Sequence, residues 1–203
     1  MSRATARLAA AALAAATVLG FAVPASAGTL EIDPGGNIEA VSLIEEEFVI
    51  LNLGGPRIVC QVTLELDVSS ASKTEGVQFG TVDDAEADDC INGAEIEFLG
   101  LPWTITYQAI TGGLPSEISE VIAMVRDVEL LISTCEWRCL YVGELDTFLP
   151  LFHIFPEEPY TNQLLRIWDS LLLERNLGRR PCPEGIPFEG TFTLDPTQTI
   201  VDV

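Results

Sequence analysis

Between Ile58 and Val68 every even-numbered residue is apolar (Ile58, Cys60, Val62, Leu64, Leu66, Val68), and after Val59 the odd positions are Gln61, Thr63, Glu65 and Asp67. Successive side chains of an extended chain point to opposite sides, so a two-residue period marks a strand with one buried face. The pattern predicts a strand with Cys60 turned inward. Trp103, Ile105, Tyr107 and Ala109 alternate with Thr104, Thr106 and Gln108 in the same way, and Phe188, Gly190, Phe192 and Leu194 alternate with Glu189, Thr191 and Thr193. Turn-forming clusters separate these runs: Pro34-Gly35-Gly36-Asn37, Asn52-Leu53-Gly54-Gly55-Pro56, Asn92-Gly93 and Thr111-Gly112-Gly113. Asn92-Gly93 is a dipeptide that suits a type I′ turn. Strands joined by Gly/Pro turns predict an all-β chain, either an antiparallel β-sandwich or a closed β-barrel.

Two segments fit less simply. Ser116–Thr134 places Ile118, Val121, Ile122, Val125 and Ile132 near helical spacing, but its β-branched residues favour a strand. Within Asn162–Leu177, Leu164, Leu165, Ile167, Trp168, Leu171 and Leu172 could line a helix, with Gly178 after its end. Both are read as strands, with one short helix near 162–177 as the competing reading. Phe148–Tyr160 holds three prolines and reads as a long connection. The chain shows no internal repeat and no linker that would split it.

The N-terminus reads as an export signal. Arg3 and Arg7 precede an Ala/Leu/Val stretch from Leu8 to Val23, and Ala25-Ser26-Ala27 supplies small residues for cleavage before Gly28. The stretch is shorter and more alanine-rich than the roughly 20 strongly apolar residues of a spanning helix. Residues 1–27 are therefore expected to be a secretory signal peptide, and 28–203 one β-rich extracellular domain. Removal of Arg3 and Arg7 leaves eight basic residues against 31 acids, a net charge of −23. Beyond Arg175, Arg179 and Arg180 the chain has no basic cluster of the kind that binds phosphates. No nucleic acid and no anionic membrane surface is expected as a partner; solvation, a cation or a basic partner suits this charge.

All five cysteines lie beyond the signal: Cys60, Cys90, Cys135, Cys139 and Cys182. Export makes disulfides the expected state, and an odd count leaves one thiol free or paired between chains. On one continuous strand Cys135 and Cys139 would stand about 13 Å apart, too far for a bridge, so they could pair only across a tight turn at Glu136-Trp137-Arg138. Of the pairings that sequence permits, Cys60–Cys90 and Cys139–Cys182 are preferred. Cys135 is then left unpaired or available for a disulfide-linked dimer. No C-x-x-C pair exists and the one histidine is remote, which speaks against zinc.

Gly100-Leu101-Pro102-Trp103-Thr104, Cys139-Leu140-Tyr141, Cys182-Pro183-Glu184-Gly185 and the run Phe188-Glu189-Gly190-Thr191-Phe192-Thr193-Leu194 together resemble a loose group of small secreted proteins from high-GC Gram-positive bacteria. The resemblance spans Arg57 to the C-terminus. It implies a β-rich exported domain with paired cysteines and implies no activity. Cys135 and the Phe148–Tyr160 connection depart from the pattern.

Few residues offer chemistry. His153, the sole imidazole, sits among Leu151, Phe152, Ile154, Phe155 and Pro156 and reads as a packed residue, and no Gly-x-Ser-x-Gly elbow is present. The densest acidic run, Asp83, Asp84, Glu86, Asp88 and Asp89, precedes Cys90 and is the candidate calcium site, read as a loop without the EF-hand order. Glu45-Glu46-Glu47 on a strand would split between two faces. Of the tryptophans that could stack on sugar, Trp103 is in phase with a core face, Trp137 is expected to be partly exposed, and Trp168 completes the set. The reading is a non-catalytic extracellular or cell-envelope binding or structural protein without a cofactor, with an extracellular protein or glycan as its partner. The alternative is a secreted hydrolase acting on polysaccharide through paired carboxylates. An outer-membrane barrel is disfavoured because the visible strands carry Glu, Asp and Gln on one face.

Overall fold

The computed structural model describes residues 30–33, 35–42, 49–50, 58–71, 74–113, 117–150 and 160–202. The export signal, Glu45–Glu47 and His153 lie outside these residues. The described chain is almost wholly extended: β1 (Leu30–Asp33), β2 (Gly36–Ser42), β3 (Val49–Ile50), β4 (Ile58–Val59), β5 (Gln61–Val68), β6 (Gln78–Asp88), β7 (Glu95–Leu99), β8 (Trp103–Gly113), β9 (Glu117–Ser133), β10 (Arg138–Pro150), β11 (Tyr160–Asn176) and β12 (Gly185–Asp202). Both ambiguous segments are strands, β9 and β11, so the helical alternative at 162–177 is overturned.

Neighbours run β2-β5-β6-β8-β9-β10-β11-β12, and β12 returns to β2, closing an antiparallel barrel of eight strands. Each barrel strand sits beside the next one in sequence, so the barrel is a simple meander. The remaining strands extend its walls. β7 pairs with the far half of β9, continuing the line of β8 beyond a break at Gly100–Pro102. β1 and β3 lie along β12 on either side of β2, and β4 pairs with β3.

The register defines two ends. The upper end carries the Thr134–Trp137 turn, the segment between β11 and β12, and the 3-10 turn Ile91–Gly93. The lower end carries the β5–β6 and β8–β9 connections and β1. Both disulfides, Cys60–Cys90 and Cys139–Cys182, tie down the upper end, and Cys135 is a free, exposed thiol in the turn. Asn92-Gly93 forms no hairpin: β6 and β7 are not partners, because β7 goes to β9, and the 3-10 turn with Gly93 at φ 63° makes a corner instead. The long connection is also shorter than its prolines suggest, since β10 continues through Phe148 to Pro150 and β11 begins at Tyr160.

Closure explains the pattern of burial. Inward residues such as Val62, Leu64, Val121, Ala123, Leu145, Leu171 and Phe192 are buried, while Glu65, Asp67, Asp84, Glu86 and Glu144 face outward and are exposed. A membrane barrel has the opposite arrangement, apolar outside. Among the described residues no helix is long and apolar enough to cross a membrane.

The disulfides close loops of 30 and 43 residues; in the chain-entropy model each stabilises the fold by roughly 4 kcal/mol. A Cys139→Ser/Cys182→Ser variant is expected to lose about that much stability in urea unfolding, with a steeper transition because the unfolded chain, freed of the cross-link, exposes more surface. Tyr141 sets the alkaline limit. Burial pushes its phenol up to about 12 from 10.0, so the folded state holds a proton that the unfolded chain releases. Its stabilising contribution is complete below pH 10 and lost as pH rises toward 12. Tyr141→Phe should flatten that part of the stability profile, read by chemical denaturation across pH 9–12.

Candidate functional site

The inward side chains fill the two halves of the lumen differently. Toward the upper end, Leu130, Tyr141, Leu171, Ile186 and Phe188 are fully buried and close the barrel. The Tyr141 hydroxyl donates to the Pro183 carbonyl at 3.3 Å. Trp103 is 2% exposed, with its indole N–H donating to the Leu99 carbonyl at 2.8 Å and its ring 5.9 Å from Phe98. Burial satisfies the polar end of each large ring.

The lower half is lined by smaller aliphatic groups, among them Leu64, Val68, Ala123, Val125, Leu149 and Ile167, and these leave a cavity of about 50 Å³. Of the lining residues only Thr147 has a polar side-chain atom, and its hydroxyl is engaged, donating to the Ala123 carbonyl at 2.9 Å. The space could hold a water by size, but a buried water needs two to four polar partners, and the lining side chains offer only the accepting lone pairs of the Thr147 hydroxyl. The cavity is an apolar one.

The acidic run does not form a loop. Asp83, Asp84, Glu86 and Asp88 belong to β6 and Asp89 follows it, with Ala85 and Ala87 half-buried between them. Asp83 is an extra residue in the β5–β6 ladder and accepts the Thr81 hydroxyl at 2.6 Å. Asp84, Glu86 and Asp88 then share the outer face, spaced by about 6.7 Å per pair of residues. Among the described residues no three His, Cys, Asp or Glu side chains gather as a cation site. The alternation Asp-Ala-Glu-Ala-Asp was the sequence signal for a strand.

The tryptophans separate by environment. Trp103 is core and Trp137 is partly buried against the core, as their spacing suggests. Trp168 stands outside on β11 at 72% exposure, with Leu172 at 66% on the same face, the two most exposed large apolar side chains described. Beneath them the wall is modified. The β10–β11 register holds at Val142↔Leu172 and at Thr147↔Ile167. Between these points the Asp146 N–H donates to the Asp169 carboxylate at 3.0 Å, and the other Asp169 oxygen accepts the Ser170 N–H at 2.6 Å. A side chain thus occupies a place in the ladder. Burial, then the nearby Asp169 and Glu144 charges, raise the Asp146 carboxyl above its usual value.

The three arginines singled out in the sequence are joined by a fourth. Arg138, Arg179 and Arg180 line an open depression of about 370 Å³ at the upper end beside Cys135 and Trp137, with Arg180 paired to Glu136 at 2.9 Å. Arg175, level with Leu140 on β10, lies close by. Gly178 permits this closeness: a Cβ there would stand 2.7 Å from the Arg138 backbone nitrogen.

The molecule is thus a closed eight-stranded meander barrel with an apolar lumen and a strongly acidic exterior. Comparisons with protein-family models, curated proteins and solved structures each find no match.

Asp146 yields a pH prediction. A carboxyl raised in the folded state contributes most when protonated, fully below the ordinary 3.8, and the contribution is lost as pH rises through its folded value. Asp146→Asn, which mimics the protonated group, should raise the thermal midpoint at pH 7, and the advantage should shrink as pH falls toward 4 and vanish below it.

Proposed function

We propose that this is a non-catalytic binding protein of the extracellular space or cell envelope, whose barrel lumen takes a small apolar guest. The observation that carries the reading is the void itself. An eight-stranded barrel is just wide enough to be filled by its own side chains or to hold one small ligand. Here the upper half is filled and the lower half is not. An empty cavity of about 50 Å³ costs on the order of 1 kcal/mol, and a guest without hydrogen-bonding groups would recover it. As it stands the space admits a guest of a few heavy atoms.

Two disulfides support an oxidising compartment, and the Leu8–Val23 stretch supports export. The hydrolase alternative finds little support. Asp146 and Asp169 lie close enough to interact, but both Asp169 oxygens accept backbone N–H groups, which fixes that carboxylate within the wall. Glycoside hydrolysis needs one carboxyl free to exchange a proton and another to reach the sugar or its water.

Xenon under pressure is the probe, followed by methyl NMR and thermal unfolding. The methyl signals of Val125, Leu149 and Ile167 should shift, and the thermal midpoint should rise with xenon pressure, the native state gaining about 2.7 kcal/mol at a hundredfold excess over Kd. Ala123→Val, which fills the void, should abolish both effects while leaving the protein folded. Unchanged methyl signals in the wild type would remove the reading.

A further inference from the structure

The outer face of β9–β10–β11 carries a second surface that the lumen does not use. In β9, Arg126 and Asp127 together oppose the single Glu144 of β10, and Asp127 adopts φ 61° to make this bulge. The bulge opens a shallow groove of about 430 Å³ with an apolar floor of Leu140 and Val142 and a rim of Asp127, Glu129, Glu144 and Glu174. Val142 pairs across the strands with Leu172, so the floor continues into that exposed side chain. Four residues along β11, about 13 Å away, stands Trp168. The register puts it directly opposite Glu189 on β12 and level with Asp146 on β10, a carboxylate on each side of the ring. Of the cations nearby, Arg126 is paired with Glu144 at 3.2 Å, Arg175 stands opposite Leu140 at the upper limit of the strip, and Arg166 marks its lower limit.

We infer that this groove and the Trp168 row form a docking site for a basic, amphipathic peptide segment of another protein. Charge complementarity selects the occupant: six carboxylates border an apolar strip, in a chain whose field already draws cations. A lysine or arginine over Trp168 gains a cation–π contact and two flanking carboxylates. An aliphatic side chain of the same peptide, about 13 Å on, covers Leu172 and Val142. A glycan platform would call for a second stacking ring, whereas the second anchor here is aliphatic.

The test is isothermal titration of the oxidised protein with a short synthetic lysine–leucine peptide, against the same peptide with every lysine acetylated. The lysine peptide should bind and the acetylated one should not. Trp168→Ala, at an exposed position that the fold does not need, should weaken binding by at least about tenfold. Asp146→Asn/Glu189→Gln should weaken it similarly, while Asp84→Asn/Glu86→Gln, which removes the same charge from β6, should leave it unchanged. Equal losses in the two double variants would reduce the attraction to net charge and overturn the site. So would equal binding of the acetylated peptide, or binding of glucosamine oligomers with the same dependence on Trp168 in place of the peptide.

Discussion

Closure of the barrel by β12 is the constraint on which the rest depends. This strand of 18 residues pairs with β11 along one side and with β1, β2 and β3 along the other. An open sheet of the same strands would leave a row of unpaired N–H and C=O groups, a template for association with other chains. Closure removes that edge and creates an inside. Once there is an inside, each barrel strand must alternate, apolar toward the lumen and polar toward water. The charge is a consequence as well: with the lumen reserved for apolar groups, the 31 acids have the exterior and the loops to occupy. Both disulfides then fasten the upper end, where β3 and β4 pair with each other ahead of β5.

How much of this was legible depended on whether a strand kept one phase. β5 and β12 alternate cleanly in sequence because each keeps a single inward parity over the stretch that was read; β8 keeps it from Trp103 to Tyr107, after which a bulge puts Ile110 rather than Ala109 on the inward face. β9 does not: Val121, Ala123 and Val125 face inward, then the bulge at Asp127 shifts the phase and Val128, Leu130 and Ile132 follow. A strand with a half-period slip in the middle spaces its apolar residues by two and then by three, which imitates a helix. The acidic run on β6 was hidden for a related reason. Asp83 is the extra residue in its ladder, and small Ala85 and Ala87 are weak markers of an inward face.

β11 was ambiguous for a different reason, and it bears on function. Its inward residues Leu165, Ile167 and Leu171 alternate correctly. Trp168 and Leu172 confuse the pattern because they are apolar on the solvent face, where a strand of a closed barrel has no structural use for them. The misfit in the sequence and the exposed patch in the fold are one observation. The disulfide pairing was within reach of spacing arguments. The luminal void was not, because it depends on which inward residues of different strands meet at one level, and that is set by the register.

The two candidate surfaces share a wall. Thr147 and Ile167 face the lumen, and Asp146 and Trp168, their immediate neighbours on β10 and β11, face out. Between those strands the Asp169 carboxylate stands in for a ladder carbonyl, so this part of the wall is held partly by a side chain. The proposed interior site suits a guest without charge or donor-rich groups, because Thr147 is the one polar side chain lining it and its hydrogen is donated to the Ala123 carbonyl. The exterior demands the reverse, a cation, because every rim group of the groove is an acid. No single ligand satisfies both. Each surface therefore calls for its own partner, and any influence of one on the other would pass through two strands and be reciprocal.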